Sequence, residues 1–88
     1  MVERRVTVVN AHGIHARPAA EIVKTAARFS SSIKLEKDGL EVNGKSIMGV
    51  MMLAAECGSE VIIRAEGADA DAAVDALAEL ITSRFGEQ

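Results

Sequence analysis

The chain has no tryptophan or tyrosine, two phenylalanines, one proline and one cysteine among 88 residues. Each shortage excludes something. With Phe29 and Phe85 as the only aromatic side chains besides histidine, the core must be built from Val, Ile, Leu, Ala and Met. A single cysteine, Cys57, cannot close an internal disulfide, and a Cys-x-x-Cys metal pair is absent. Lying between a predicted helix and a predicted strand, Cys57 reads as a small packing residue. No apolar run approaches the ~20 residues of a membrane span. Met1-Val2-Glu3-Arg4-Arg5 leads into an alternating segment, not into a signal-peptide core. Basic charge is also scarce: ten Lys and Arg against thirteen Asp and Glu leave a net −3. That balance argues against a general nucleic-acid binder. These absences predict a cytoplasmic protein with no nucleic-acid partner and no direct membrane insertion.

Eighty-eight residues fit one domain, 1–88, with one modest two-layer core and no deep pocket under lids. Val2 to Val9 is rich in β-branched residues and reads as a strand, with Arg4, Val6 and Val8 on one face. From Ala16 to about Arg28, apolar residues recur at Ala19, Ile22, Val23, Ala26 and Phe29, which is helical spacing. Ser32–Lys37 and Leu40–Val42 read as strands joined by Asp38-Gly39, a two-residue hairpin signal. Ser46 is a good N-cap for a short helix over Ile47 to about Ala54. Glu60–Glu66 reads as a strand with Val61, Ile63 and Ala65 inward, and Asp69 starts a long helix carrying Val74, Leu77, Leu80 and Ile81 on its apolar side. The order β-α-β-β-α-β-α predicts an α/β (α+β) open-faced sandwich. A four-stranded, mostly antiparallel sheet is covered on one face by helices. Periodicity alone leaves the strand order open.

Gly13-Ile14-His15-Ala16-Arg17-Pro18 puts a histidine at the mouth of the first helix. The first N–H groups of a helix have no intrahelical partner, and the macrodipole adds partial positive charge, so the mouth attracts anions. Proline is tolerated in that first turn because its missing N–H is not needed there. Gly13 permits a tight loop, and Ala16, Ala19 and Ala20 leave the mouth uncrowded. A neutral imidazole, the form a helix-mouth field favours, can act as a nucleophile, and Arg17 can neutralise the oxygens of what it attacks. The substrate such an arrangement suits is a phosphoryl group. The alternative for a histidine at a helix start is a cap or a solvated loop residue. His12 reads as a loop histidine at the edge of this site. With His15 it would make a weak metal pair lacking a third ligand, so no metal is expected.

At 13–19, Gly-Ile-His-Ala-Arg-Pro-Ala resembles the active-site signature of the HPr family, the histidine phosphocarriers of the bacterial phosphoenolpyruvate:sugar phosphotransferase system. Gly44-Lys45-Ser46-Ile47-Met48-Gly49-Val50-Met51 is similar to the family's regulatory serine segment, and the two strings stand about thirty residues apart, as the family requires. The resemblance implies the family's fold, with the first and last strands adjacent. It implies that His15 Nδ1 accepts a phosphoryl group from phosphorylated enzyme I and passes it to sugar-specific A-type transporter domains. Arg17 and the backbone N–H groups of Ala16 and Arg17 would hold the phosphate, with no cofactor and with catalysis supplied mainly by the partners. The chain would then be a carrier, not an enzyme. The resemblance further implies Ser46 as the target of an HPr kinase/phosphorylase, and Ile47, Met48 and Met51 as a partner-docking patch. From the residues themselves, the short helix is apolar almost all round, with Val50 and Leu53 suited to the core.

Other functions fit less well. A nitrogen-pathway paralogue would use the same histidine for regulation, although Pro18 and the serine segment point to the carbohydrate branch. A small acyl-phosphate hydrolase would need an anion loop and a water-orienting asparagine, and would give His15-Ala16-Arg17 no role.

Overall fold

The β-branched run at the N-terminus forms β1 (Val2–Thr7), and the remaining elements follow as α1 (Ala16–Ala26), β2 (Ser32–Lys37), β3 (Leu40–Asn43), α2 (Ile47–Met52), β4 (Glu60–Glu66) and α3 (Ala70–Thr82). This computed structural model describes residues 1–83 and 85. Residues 84 and 86–88, the end of the domain read over 1–88, lie outside the described residues. The order is the expected one. Asp38 and Gly39 both take positive φ, 51° and 85°, the geometry of a type I′ hairpin whose twist matches its strands.

The four strands form one sheet in the order β1-β4-β2-β3, with every neighbouring pair antiparallel. The first and last strands are therefore adjacent, as the resemblance implies. Period-2 alternation sends Val6, Ile33, Leu35, Val42, Val61, Ile63 and Ala65 to one buried face. α3 lies against β1 and β4, α1 lies beside α2 and α3, and α2 lies against β3. The long helices contribute Ala19, Ile22 and Ala26 from α1, and Ala73, Val74, Leu77 and Ile81 from α3, to the same aliphatic core. Truncating one of the fully buried large residues, such as Ile22 or Leu77, to alanine costs about 2–5 kcal/mol. Arg4 shares the face of Val6, as its spacing predicts, and its guanidinium reaches Asp75 on α3 at 2.6 Å.

The opposite face stays open because it is polar. Arg64 on β4 donates to Glu3 on β1 at 2.9 Å, to Glu41 on β3 at 3.2 Å, and also to Glu36 on β2. One guanidinium thus ties all four strands, and its hydrogen bonds to Glu36 and Glu3 raise its proton affinity further.

One detail adds to the sequence reading and one corrects it. Asp69 precedes α3 but its carboxylate makes no capping bond to that helix. It accepts instead from the N–H groups of Ser30 and Ser31, both at 2.9 Å, and from the Ser31 hydroxyl. These bonds, the Ser31 hydroxyl foremost, hold the Asp69 carboxyl at about 2. The clamp joins the chain leaving α1 to the chain entering α3. Cys57 is not a packing residue. It is exposed, with Sγ 3.8 Å from the Val9 carbonyl oxygen, because the connection between α2 and β4 runs over the surface at that point.

Candidate functional site

After Thr7 the chain keeps contact with the sheet edge through two backbone bonds. The Val8 N–H donates to Ser59 O at 2.9 Å, and the Gly58 N–H donates to Val8 O at 2.8 Å. It then turns sharply. The Gly13 N–H donates to Asn10 O at 3.0 Å, and the fully buried Asn10 returns its Nδ2 to Gly13 O at 2.6 Å. Gly13 has φ 66°, and a Cβ there would lie 2.4 Å from Ala55 O and 2.9 Å from Glu56 Cα. Only glycine satisfies both constraints. The next N–H, of Ile14, donates to Ala55 O at 2.8 Å. The loop before α1 is therefore pinned to the segment that leaves α2.

That pinning delivers His15 to the N-cap of α1 in an extended conformation, φ −91° and ψ −165°. Its imidazole makes no capping bond to the helix, and the residue is exposed. The first ladder bond runs from the Ala19 N–H to His15 O at 2.9 Å. Pro18 stands in the first turn, buried and without an N–H. The N–H groups of Ala16 and Arg17 thus precede the ladder, where helix geometry leaves donors for an anion. Arg17 is exposed on the same first turn. His12, also exposed, sets its ring edge-to-face against that of His15, with centroids 6.0 Å apart and planes at 85°.

Ser46 occupies the N-cap of α2, and its Oγ accepts the Gly49 N–H at 3.1 Å. The helix has six residues, ending at Met52, two residues short of the sequence reading. Val50 and Leu53 are buried, as their spacing suggests, and Ile47, Met48 and Met51 are exposed by 47%, 76% and 44%. Met52, exposed by 65%, joins them. At 100° per residue it flanks Met48 on the side away from Ile47 and Met51. α2 packs beside α1, and the bond from Ile14 to Ala55 ties the residue before His15 to the segment that leaves the apolar helix.

The sequence placed His15, Ala16, Arg17, Ser46, Ile47, Met48 and Met51 near one another only through a resemblance. Here two physical links join their elements: α1 packs against α2, and Ile14, next to His15, is bonded to Ala55 just beyond the C-terminal end of α2. The sequence reading set His12 at the edge of the site but gave no sign of its ring contact with His15. The approach of Gly13 to the Ala55–Glu56 backbone had no signal beyond the glycine itself. Among the described residues, no three His, Cys, Asp or Glu side chains gather as a metal site.

Known proteins match over this whole arrangement. The family described as "PTS HPr component phosphorylation site" matches residues 2–83. The chain is 51% identical to the phosphocarrier protein HPr of Treponema pallidum (strain Nichols) over 88 residues, all of both chains. Among solved structures it is similar to HPr from Thermoanaerobacter tengcongensis, with 50% identity, a TM-score of 0.96, and coverage of 100% of this chain and 99% of that one. HPr from Bacillus anthracis (str. Ames) also matches, at 50% identity and a TM-score of 0.88 over 91% of this chain and 95% of that one.

Proposed function

Because the chain belongs to the HPr family of phosphotransferase-system phosphocarriers, we propose that its phosphoryl group is carried on His15. In this reading the phosphorus bond on phosphorylated enzyme I breaks as a bond to Nδ1 of His15 forms. The phosphocarrier domain over 1–88 then delivers the group to sugar-specific A-type transporter domains. The observation that carries the reading is the placement of His15: exposed, extended and at the N-cap of α1 without using its ring as a cap. The N–H groups of Ala16 and Arg17 and the Arg17 guanidinium supply fixed and mobile positive charge for the phosphoryl oxygens. Transition-state charge is spread over those oxygens, so positioned donors are the main contribution a carrier makes. Ile47, Met48 and Met51 give partners an adaptable apolar surface, since methionine refits to different contours.

Ser46 adds regulation. A phosphate on its Oγ, placed by an HPr kinase/phosphorylase, would sit at a helix mouth without unfolding α2, and would put negative charge beside the apolar patch. The test is phosphorylation by enzyme I and phosphoenolpyruvate. The wild type should gain one acid-labile, base-stable phosphate, and His15→Ala should gain none while keeping its melting temperature. Normal labelling of His15→Ala would overturn the assignment.

A further inference from the structure

The ring beside His15 belongs to a built loop. The turn that carries His12 is closed by two bonds between Asn10 and Gly13, one of them from a fully buried amide. It is fastened beyond the turn by the bond from Ile14 to Ala55. His12 is therefore presented to His15 by a fixed backbone, and the edge-to-face contact at 6.0 Å follows from it. The elements around this loop bring His15 and Arg17 from the mouth of α1, and Glu56 and Cys57 from the connection between α2 and β4.

We propose that His12 is a second phosphoryl-binding side chain, whose protonated ring pairs with a phosphoryl oxygen once His15 carries the group. This rests on the reading that His15 is the phosphorylated residue. Transfer to His15 changes the charge beside the His12 ring. The group brings roughly two negative charges, as a phosphate monoester does, and a cationic His12 beside it becomes favourable. Histidine is the side chain that takes up this charge between pH 5 and 8. The geometry assigns His12 to holding the group and not to receiving it. In-line transfer between two ring nitrogens needs both lone pairs on one line through phosphorus, and in an edge-to-face pair at most one ring turns its edge to the other.

The magnitude follows from Coulomb's law. Roughly two charges against one at about 6 Å in water give about tenfold in the equilibrium, and physiological salt reduces this to about threefold. The experiment equilibrates the chain with enzyme I, phosphoenolpyruvate and pyruvate at fixed ratio. It measures the phosphorylated fraction of wild type, His12→Asn and His12→Phe at pH 6.0 and 8.5. The donor is common to all three, so its own pH dependence cancels in the ratio. Wild type should favour the phosphorylated form over both variants by about three- to tenfold at pH 6.0. The three should agree at pH 8.5, and 0.5 M salt should shrink the gap. His12→Phe matching wild type at pH 6.0 would reduce the contact to ring packing and overturn the proposal. So would equal fractions for all three proteins. A variant series with the phosphate mapped away from His15 in wild type would overturn the underlying reading and this one with it.

Discussion

Replacing Gly13 by alanine should be among the most damaging single-methyl changes available to this chain. The new Cβ would lie 2.4 Å from Ala55 O and 2.9 Å from Glu56 Cα. Both are backbone atoms, so no side chain can swing aside. The residue's φ of 66° adds about 1–2 kcal/mol for an L-residue, and overpacking adds about 1–3 kcal/mol. The sum, about 2–5 kcal/mol, is a large share of the roughly 5–15 kcal/mol that holds a domain folded. Gly39 supplies the control. Its φ is 85°, yet a Cβ there would meet nothing within 4 Å, so Gly39→Ala should cost only about 1–2 kcal/mol. Urea unfolding of the three proteins measures this directly. With a slope of about 1 kcal/mol per molar urea, the Gly13→Ala midpoint should fall by about 2 M or more. Its fall should exceed that of Gly39→Ala. Equal shifts would mean that the His15 loop is not pressed against the Ala55–Glu56 backbone, and the account of how the site is positioned would fail.

Ser46→Asp should slow phosphoryl acceptance from enzyme I while the melting temperature holds or rises slightly, since aspartate is itself a good N-cap and its charge faces a desolvating partner. Stability falling in step with transfer, measured on the same samples, would make the effect a folding defect. Arg17→Ala should reduce transfer at saturating partner by about 10- to 100-fold, the worth of one hydrogen bond to a charged group. A loss confined to apparent affinity would leave Arg17 as a docking residue. Asp69, held at about 2 in the folded chain against an ordinary value near 4, binds fewer protons folded than unfolded in between. Its contribution is therefore complete above about pH 4 and is lost as the pH falls towards 2. The melting temperature of Asp69→Asn should lie below wild type at pH 6, with the gap closing across that acid range. A gap that stays constant down to pH 2 would refute the clamp.

Local signals were legible because local chemistry decides them. Asp38-Gly39 dictated a hairpin because two consecutive residues must take positive φ, and Val61, Ile63 and Ala65 declared their face by alternation. Strand order was not legible in this way. β4 sits between β1 and β2 through long-range pairing, such as Val6 opposite Val61, and periodicity carries no information about which strands pair. The site was half legible. Helix-start chemistry marked His15, Arg17 and Ser46, and the apolar wheel of α2 marked the exposed methionines. Met52 is exposed because it stands beside Met48 on the outward side of α2; the helix ends after six residues, where Ala54 turns to φ 50° and no glycine or proline stands. Cys57 misled because a small apolar side chain packs or lies in solvent according to the path of a loop. Asp69 starts α3 as its place in the sequence suggests, but its carboxylate's partners, Ser30 and Ser31 beyond the end of α1, are far away in the chain and left no local signal.

The central claim is that this carrier holds its phosphoryl group on Nδ1 of His15. The most direct measurement is phosphorus and nitrogen NMR of the chain labelled with ¹⁵N at histidine and phosphorylated by enzyme I and phosphoenolpyruvate. A single phosphorus–nitrogen bond at Nδ1 of His15 is the predicted result, with the His12 ring nitrogens uncoupled to phosphorus. Phosphorus bonded to His12, or an oxygen-linked phosphate in place of any nitrogen bond, would contradict it.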